Sequence, residues 1–172
     1  LDFMVREWKP ASTRLPPKLR HAAAFAARRR ALSKLFPGET LLVPTGHEKV
    51  RANDTYYRFR PGTDFYYLTG NLEPDCVLLM APEAGGGHRD VLFVEPNPGK
   101  SDSTFFTDRI KGELWVGPRL GVPQSQARFD VHSLTNAANS GRASAHLLSP
   151  KLSLIAGPWQ QTELFFNAVL RE

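Results

Sequence analysis

Cys76-Val77-Leu78-Leu79-Met80 and Asp90-Val91-Leu92-Phe93-Val94-Glu95 are short apolar runs on either side of Ala81–Arg89, a turn segment that contains Gly85-Gly86-Gly87. They read as two strands that could pair as a hairpin. Upstream, Thr40-Leu41-Leu42-Val43-Pro44 is a further apolar run that reads as a buried strand. Phe65-Tyr66-Tyr67-Leu68-Thr69 has high strand propensity and is ended by Gly70-Asn71. Between these two lies Thr45–Arg60, polar and aromatic with no clear period, which reads as a long loop. Before them, Pro17 to Phe36 reads as a helix. Pro17 suits a first turn, Ala22, Phe25, Leu32 and Phe36 share one face, and Pro37-Gly38 supplies the stop.

Downstream the signals are shorter. Pro96–Ser103 reads as a loop, Thr107–Leu114 as a short helix, Gly121–Arg128 as a loop and Phe129-Asp130-Val131 as a brief strand. Leu134–Leu147 reads as a helix, Lys151–Ala156 as a final strand and Thr162–Arg171 as a helix start. Helix, several strands, then helix–strand–helix predicts an α/β fold, a mixed sheet with helices packed on it. No internal repeat and no low-complexity tract interrupts it.

The chain has 172 residues and is 41% hydrophobic, enough for one domain with its own core. A single cysteine excludes an intrachain disulfide and makes a reducing compartment the default. Cys76 lies inside an apolar run, the setting of a core thiol rather than a nucleophile. No apolar stretch approaches the roughly 20 residues that span a bilayer, and Leu1–Lys18 lacks a signal-peptide core and reads as an extended arm or leader. The net charge of +5 permits nucleic-acid binding without arguing for it. The densest cluster, Arg28-Arg29-Arg30, fans out by about 100° per helical residue, so it makes no basic stripe and reads as a solvated flank.

The search for chemistry inside the chain comes back empty. His21, His47, His88, His132 and His146 form no His-Glu-x-x-His or His-x-His pair. There is no Gly-x-Ser-x-Gly elbow, and no Gly-Lys-Ser/Thr follows the glycine run. Asp64 and Asp75 could be imagined as metal ligands, but one opens a strand and the other follows Glu73-Pro74 in a turn, both common places for aspartate. No catalytic residue and no metal ligand is therefore expected in this chain. Two features stand out from this background. Val50–Arg60 interleaves charges with aromatics in the way interfaces favour. Glu113-Leu114-Trp115-Val116-Gly117-Pro118-Arg119-Leu120-Gly121 places a tryptophan just before a Gly-Pro break, where it is either a core anchor or part of a site.

The order of these segments carries a resemblance. Arg28-Arg29-Arg30 and Pro37-Gly38 are followed by Arg51-Ala52-Asn53-Asp54 and Tyr57-Arg58-Phe59-Arg60. Then come Thr63-Asp64-Phe65-Tyr66-Tyr67-Leu68-Thr69-Gly70, Glu73-Pro74-Asp75-Cys76-Val77-Leu78 and the Trp115 segment. Over roughly Ala24–Arg171 this resembles the N-terminal domain of bacterial aminopeptidase P, in the creatinase/prolidase superfamily. The resemblance implies a mixed sheet flanked by helices with ribonuclease H-like topology. It implies that 1–17 is an N-terminal extension and 18–172 the domain, followed in the family by a "pita-bread" catalytic domain that this chain lacks. That domain would hold two metal ions, usually manganese, and release the residue before a proline. The resemblance further implies a cytoplasmic homodimer or homotetramer, with no nucleic-acid or membrane partner. In it, Trp115 and Asp54 reach a neighbouring subunit's active site, as an apolar wall and a polar group at the pocket mouth. Leu1–Ala23 and Pro96–Phe106 are longer than the family leads one to expect. Two alternatives stay open: a stand-alone peptide- or protein-binding module without catalysis, and the N-terminal domain of a dipeptide-cleaving prolidase.

Overall fold

A computed structural model of the chain describes residues 3, 6, 14–53, 55–95, 97, 99–135 and 152–154. Its first long element is α1, Ala22–Leu35, whose buried residues Ala22, Phe25, Arg29 and Ser33 recur at spacings of three and four. Strand β1, Thr40–Pro44, follows and is buried throughout. The long loop after it contains a small antiparallel hairpin, β2 (Val50–Ala52) and β3 (Thr55–Tyr56).

The aromatic run then departs from its strand reading: Thr63–Thr69 is a helix, α2. Phe65, Leu68 and Thr69 face inward at i, i+3 and i+4, while Tyr66 and Tyr67 stay exposed. Two glycines set its limits. Gly62 starts it, and Gly70 closes it in the left-handed region at φ 70°, its N–H donating to the Tyr66 carbonyl. Gly70 is needed for a second reason, because a Cβ there would be driven into the Phe25 ring and Leu19. Tertiary packing thus overrides the β-propensity of Phe-Tyr-Tyr-Leu-Thr.

Strands β4 (Val77–Pro82) and β5 (His88–Val94) form the expected hairpin, with Gly86 and Gly87 at positive φ in its turn. The rest differs in detail. Instead of one helix over Thr107–Leu114 there are two single turns, α3 (Thr104–Thr107) and α4 (Glu113–Val116), preceded by a 3₁₀ turn at Gly99–Ser101. Gly121–Arg128 is no loop. Val122–Phe129 is a helix, α5, with Pro123 in its first turn, where a missing N–H costs nothing. Phe129 belongs to that helix and Asp130 is its left-handed cap, so the following strand, β6, begins at His132 and runs to Thr135. Leu134 accordingly opens no helix. Strand β7, Leu152–Leu154, lies within the run predicted at Lys151–Ala156. Residues 136–147 of the helix predicted at Leu134–Leu147, and the helix predicted at Thr162–Arg171, lie outside the described residues.

The main sheet has the order β6-β5-β4-β1-β7. β4 is antiparallel to both neighbours, β6 is parallel to β5 and β7 is parallel to β1. On one face Leu41, Val43, Leu78, Met80, Leu92 and Val94 pack with Phe65 and Leu68 of α2, Phe129 of α5 and Leu32 of α1. On the other, Leu42, Val77, Leu79, Ala81, Val91 and Phe93 form a second buried cluster. Burial on both faces explains why these strands read as unbroken apolar runs rather than alternating ones. Cys76 sits at the edge of the first cluster, fully buried. Desolvation, then the nearby Glu73 and Asp75 carboxylates, push its thiol far above the ordinary range, so it is packing material and not a nucleophile.

The arginine cluster needs correcting at its centre. Arg29 is 2% exposed, not solvated. Its Nε donates to Asp90 of β5 at 2.6 Å and a terminal nitrogen to the Leu68 carbonyl at 2.8 Å. Arg28 stacks over Tyr67, 4.2 Å from the ring centroid, and donates to the Tyr67 carbonyl. One turn on, Ser33 bonds His88 Nδ1 at 2.7 Å, and His88 Nε2 meets the Glu39 carbonyl at 2.6 Å. A carbonyl only accepts, so the ring proton is on Nε2 and Nδ1 accepts from the serine hydroxyl.

Candidate functional site

β1 ends, β4 begins and β5 ends at one edge of the sheet, as the pairing of Pro44 with Val77 and of Val77 with Phe93 requires. Both segments marked in the sequence leave from that edge. The hairpin of β2 and β3 follows β1, and the tryptophan segment follows β5. Asp54 lies outside the described residues. Of its sequence neighbours, Asn53 is left-handed at φ 48°, and the Thr55 hydroxyl donates to the Ala52 carbonyl.

The tryptophan segment is built from short-range contacts. Just before α3, Asp102 accepts the Thr104 N–H at 2.7 Å; hydrogen bonds from the Thr104 hydroxyl and then from that N–H hold its carboxyl below the usual range. Phe105 and Phe106 are buried edge-to-face and anchor the segment. Asp108 then accepts the N–H groups of Ile110 and Lys111, turning the chain back toward α3. Gly112 starts α4 so close to α3 that a Cβ would strike the carbonyl oxygens of Thr104 and Asp108. This close approach puts Trp115 where its indole N–H donates to the Phe106 carbonyl at 2.7 Å. The ring is nevertheless 53% exposed, with Leu114 and Val116 about equally so, and the Arg109 guanidinium lies 5.3 Å from its centroid. Trp115 is therefore no core anchor. It is an aromatic surface held in a fixed orientation.

Sequence reasoning missed the group that closes the segment. One oxygen of Glu113 accepts from the Asn97 side-chain amide at 2.9 Å and from the Arg119 N–H at 2.7 Å. The same Asn97 amide nitrogen also donates to the Arg119 carbonyl, and the Arg119 guanidinium donates to the Lys111 carbonyl. The only signal was Glu113 and Arg119 at a spacing of six around the Gly-Pro break; nothing pointed to Asn97. Because both bonds land on Oε1, an amide oxygen can replace the carboxylate. Glu113→Gln should keep the indole fluorescence and stability of the parent, whereas Glu113→Ala should cost about 1–3 kcal/mol in urea unfolding and red-shift the emission. Equal loss in both would show that charge, not the acceptor position, matters.

Beneath this segment, Glu48, Glu73, Asp75 and Glu95 alternate with cations. Lys111 reaches Glu95 at 3.3 Å and Asp75 at 4.0 Å. Burial raises the Glu73 carboxyl, against the pull of Arg119, and burial with the Asp75 charge raises Glu48. Among the described residues no group of three or more His, Cys, Asp or Glu could hold a metal ion, and none of the described helices is long and apolar enough to cross a membrane. Asp64 lies in the first turn of α2, and Asp75 sits in a turn at φ 57° with its N–H on the Gly46 carbonyl.

Residues 25–154 match the family model described as the aminopeptidase P N-terminal domain. The chain belongs to that family. It is 43% identical over 130 residues to Xaa-Pro aminopeptidase 1 of Streptomyces coelicolor, a match covering 70% of this chain and 26% of that protein. To the Xaa-Pro aminopeptidase of Escherichia coli it is 32% identical over 108 residues, 62% of this chain and 22% of that protein. Among solved structures, the low-pH form of E. coli aminopeptidase P superposes with a TM-score of 0.70 at 26% identity, covering 87% of this chain and 32% of the other. The aminopeptidase P N-terminal domain thus spans about a quarter of the curated relatives' length. The mixed sheet flanked by helices is the fold expected from the resemblance.

Proposed function

We propose that these residues form the non-catalytic N-terminal domain of a Xaa-Pro aminopeptidase, and that Trp115 lines the substrate pocket of a neighbouring subunit in a homodimer or homotetramer. The observation that carries this is the Trp115 ring: half exposed, yet tied through its N–H and flanked by Leu114 and Val116. An ordered aromatic face with its polar atom already satisfied offers apolar contact without a desolvation cost. It would wall the pocket and exclude water beside a prolyl ring, while Asp54 would meet polar groups at the pocket mouth.

The two manganese ions of such an enzyme would not be held by the described residues of this chain. Their clustered carboxylates are interleaved with Lys111 and Arg119, which take up the negative charge a dication would need. When bound by a catalytic domain, such ions activate water and polarise the scissile carbonyl. A fully buried, unpaired Cys76 fits residence in the cytoplasm. The test is direct. The purified 172-residue chain should release no residue from an Xaa-Pro peptide, with or without manganese, while the full-length protein carrying it should do so. Turnover by the isolated chain, or none by the full-length protein, would overturn the reading.

A further inference from the structure

Lys111 lies in the turn between α3 and α4, and each of its polar groups is engaged. Its N–H donates to the Asp108 carboxylate at 3.0 Å, and its carbonyl accepts from the Arg119 guanidinium at 3.0 Å. Its ammonium reaches Glu95 at 3.3 Å and Asp75 at 4.0 Å. Asp75 stands just before β4 and Glu95 just after β5, so one side chain joins the tryptophan segment to two neighbouring strand ends. The next residue, Gly112, accepts the Trp115 backbone N–H at 2.9 Å, so a displacement at Lys111 is carried to Trp115 through a single turn.

The buried Phe105 and Phe106 hold the near end of the segment. One anchor leaves a piece of chain free to swing about it, and a second removes that freedom. The bond from the Trp115 indole to the Phe106 carbonyl is internal to the segment and orients the ring within it. Leu120 also packs on the core, but beyond the Gly117-Pro118 break, where Gly117 has φ 85°. The ties of Lys111 run from the segment itself to the sheet edge. Both carboxylates are only 22% exposed, so water screens these pairs less than it does a fully exposed pair.

We propose that Lys111 is a positioning residue for the substrate pocket: its ion pairs with Glu95 and Asp75 set where the Trp115 wall stands over the sheet edge. This rests on the reading that Trp115 lines that pocket. Lys111 acts on substrate binding only through the ring. A cation of similar reach can therefore replace it. A neutral side chain of similar length loosens the segment, and an anion repels it from the two carboxylates.

The test is steady-state kinetics of the full-length peptidase on an Xaa-Pro peptide. Lys111→Met should raise KM about threefold with kcat within about twofold, and Lys111→Glu should raise KM roughly tenfold, the level expected of losing the ring itself. Lys111→Arg should stay within about 1.5-fold of the parent. In a Trp115→Ala background, Lys111→Met should add less than about 1.5-fold, because the group it acts through is gone. If Trp115→Ala raises KM but Lys111→Met and Lys111→Glu do not, the proposal is overturned and the pocket reading stands. A Lys111→Met effect that persists in full without the ring overturns it too, as does a loss in kcat alone, the mark of a merely structural role. Equal losses in Lys111→Arg and Lys111→Met would show that charge does not position the segment. If Trp115→Ala itself changes nothing, the pocket reading falls and this proposal falls with it.

Discussion

Asp90→Ala is expected to lower the stability of the domain by about 3 kcal/mol, the low end for stripping one partner from a buried ion pair. Arg29 is the reason. It is almost wholly enclosed, and Asp90, 23% exposed, is the carboxylate it meets. Removing Asp90 leaves a guanidinium that cannot lose its proton and has only the Leu68 carbonyl in compensation. For a domain of this size the loss corresponds to roughly 6–12 °C in Tm. The low end applies because the Asp90 side faces some water, which can enter the gap. Pairing the change with Arg29→Met should recover part of the loss, since no buried charge is then left unpaired. Urea unfolding of the two variants provides the check. A single-variant loss below about 1 kcal/mol, the level of a surface pair, would mean that Arg29 is hydrated after all.

Trp115→Ala is expected to do the reverse: little to the fold and much to the enzyme. Truncating a buried tryptophan costs about 3–5 kcal/mol. A ring 53% exposed, losing one hydrogen bond and half a face of packing, should cost about 1–2 kcal/mol. In the full-length peptidase the lost apolar contact should raise KM for an Xaa-Pro peptide by roughly tenfold, with kcat within about twofold if ground and transition states use the wall equally. A fall in kcat as well would show that the ring also orients the substrate. Unchanged kinetics would remove Trp115 from the pocket, leaving the family assignment untouched.

The strands were legible because β1, β4 and β5 are buried on both faces and so are written as continuous apolar residues. α2 was not, because its outward residues, Tyr66 and Tyr67, are as β-prone as its inward ones. The inward spacing of Phe65, Leu68 and Thr69 was nonetheless present. α5 hid behind Gly121 and Pro123, which mark loops and helix starts equally well. The burial of Arg29 could have been read, since it falls on the stripe of Ala22, Phe25 and Ser33; the triplet of arginines drew attention away from that position. For Trp115, composition left core anchor and site equally open. The ring's exposure decides against the core, and that follows from how closely Gly112 lets α4 approach α3, a contact no local pattern encodes.

The two ties between α1 and β5, Arg29 to Asp90 and Ser33 to His88, have a kinetic consequence. A helix packed on one face of a sheet could fray alone, exchanging its amide protons through small local openings. Here His88 also grips the Glu39 carbonyl just before β1, so the helix end, the strand start and β5 are clasped by one imidazole. Peeling α1 away therefore strands a guanidinium and breaks that clasp, which makes helix and sheet a single cooperative unit. Native-state hydrogen exchange should find the amides of Phe25–Leu32 opening with the same free energy as those of Val91–Phe93. Helix amides that exchange well ahead of the strand would show that the ties yield one at a time.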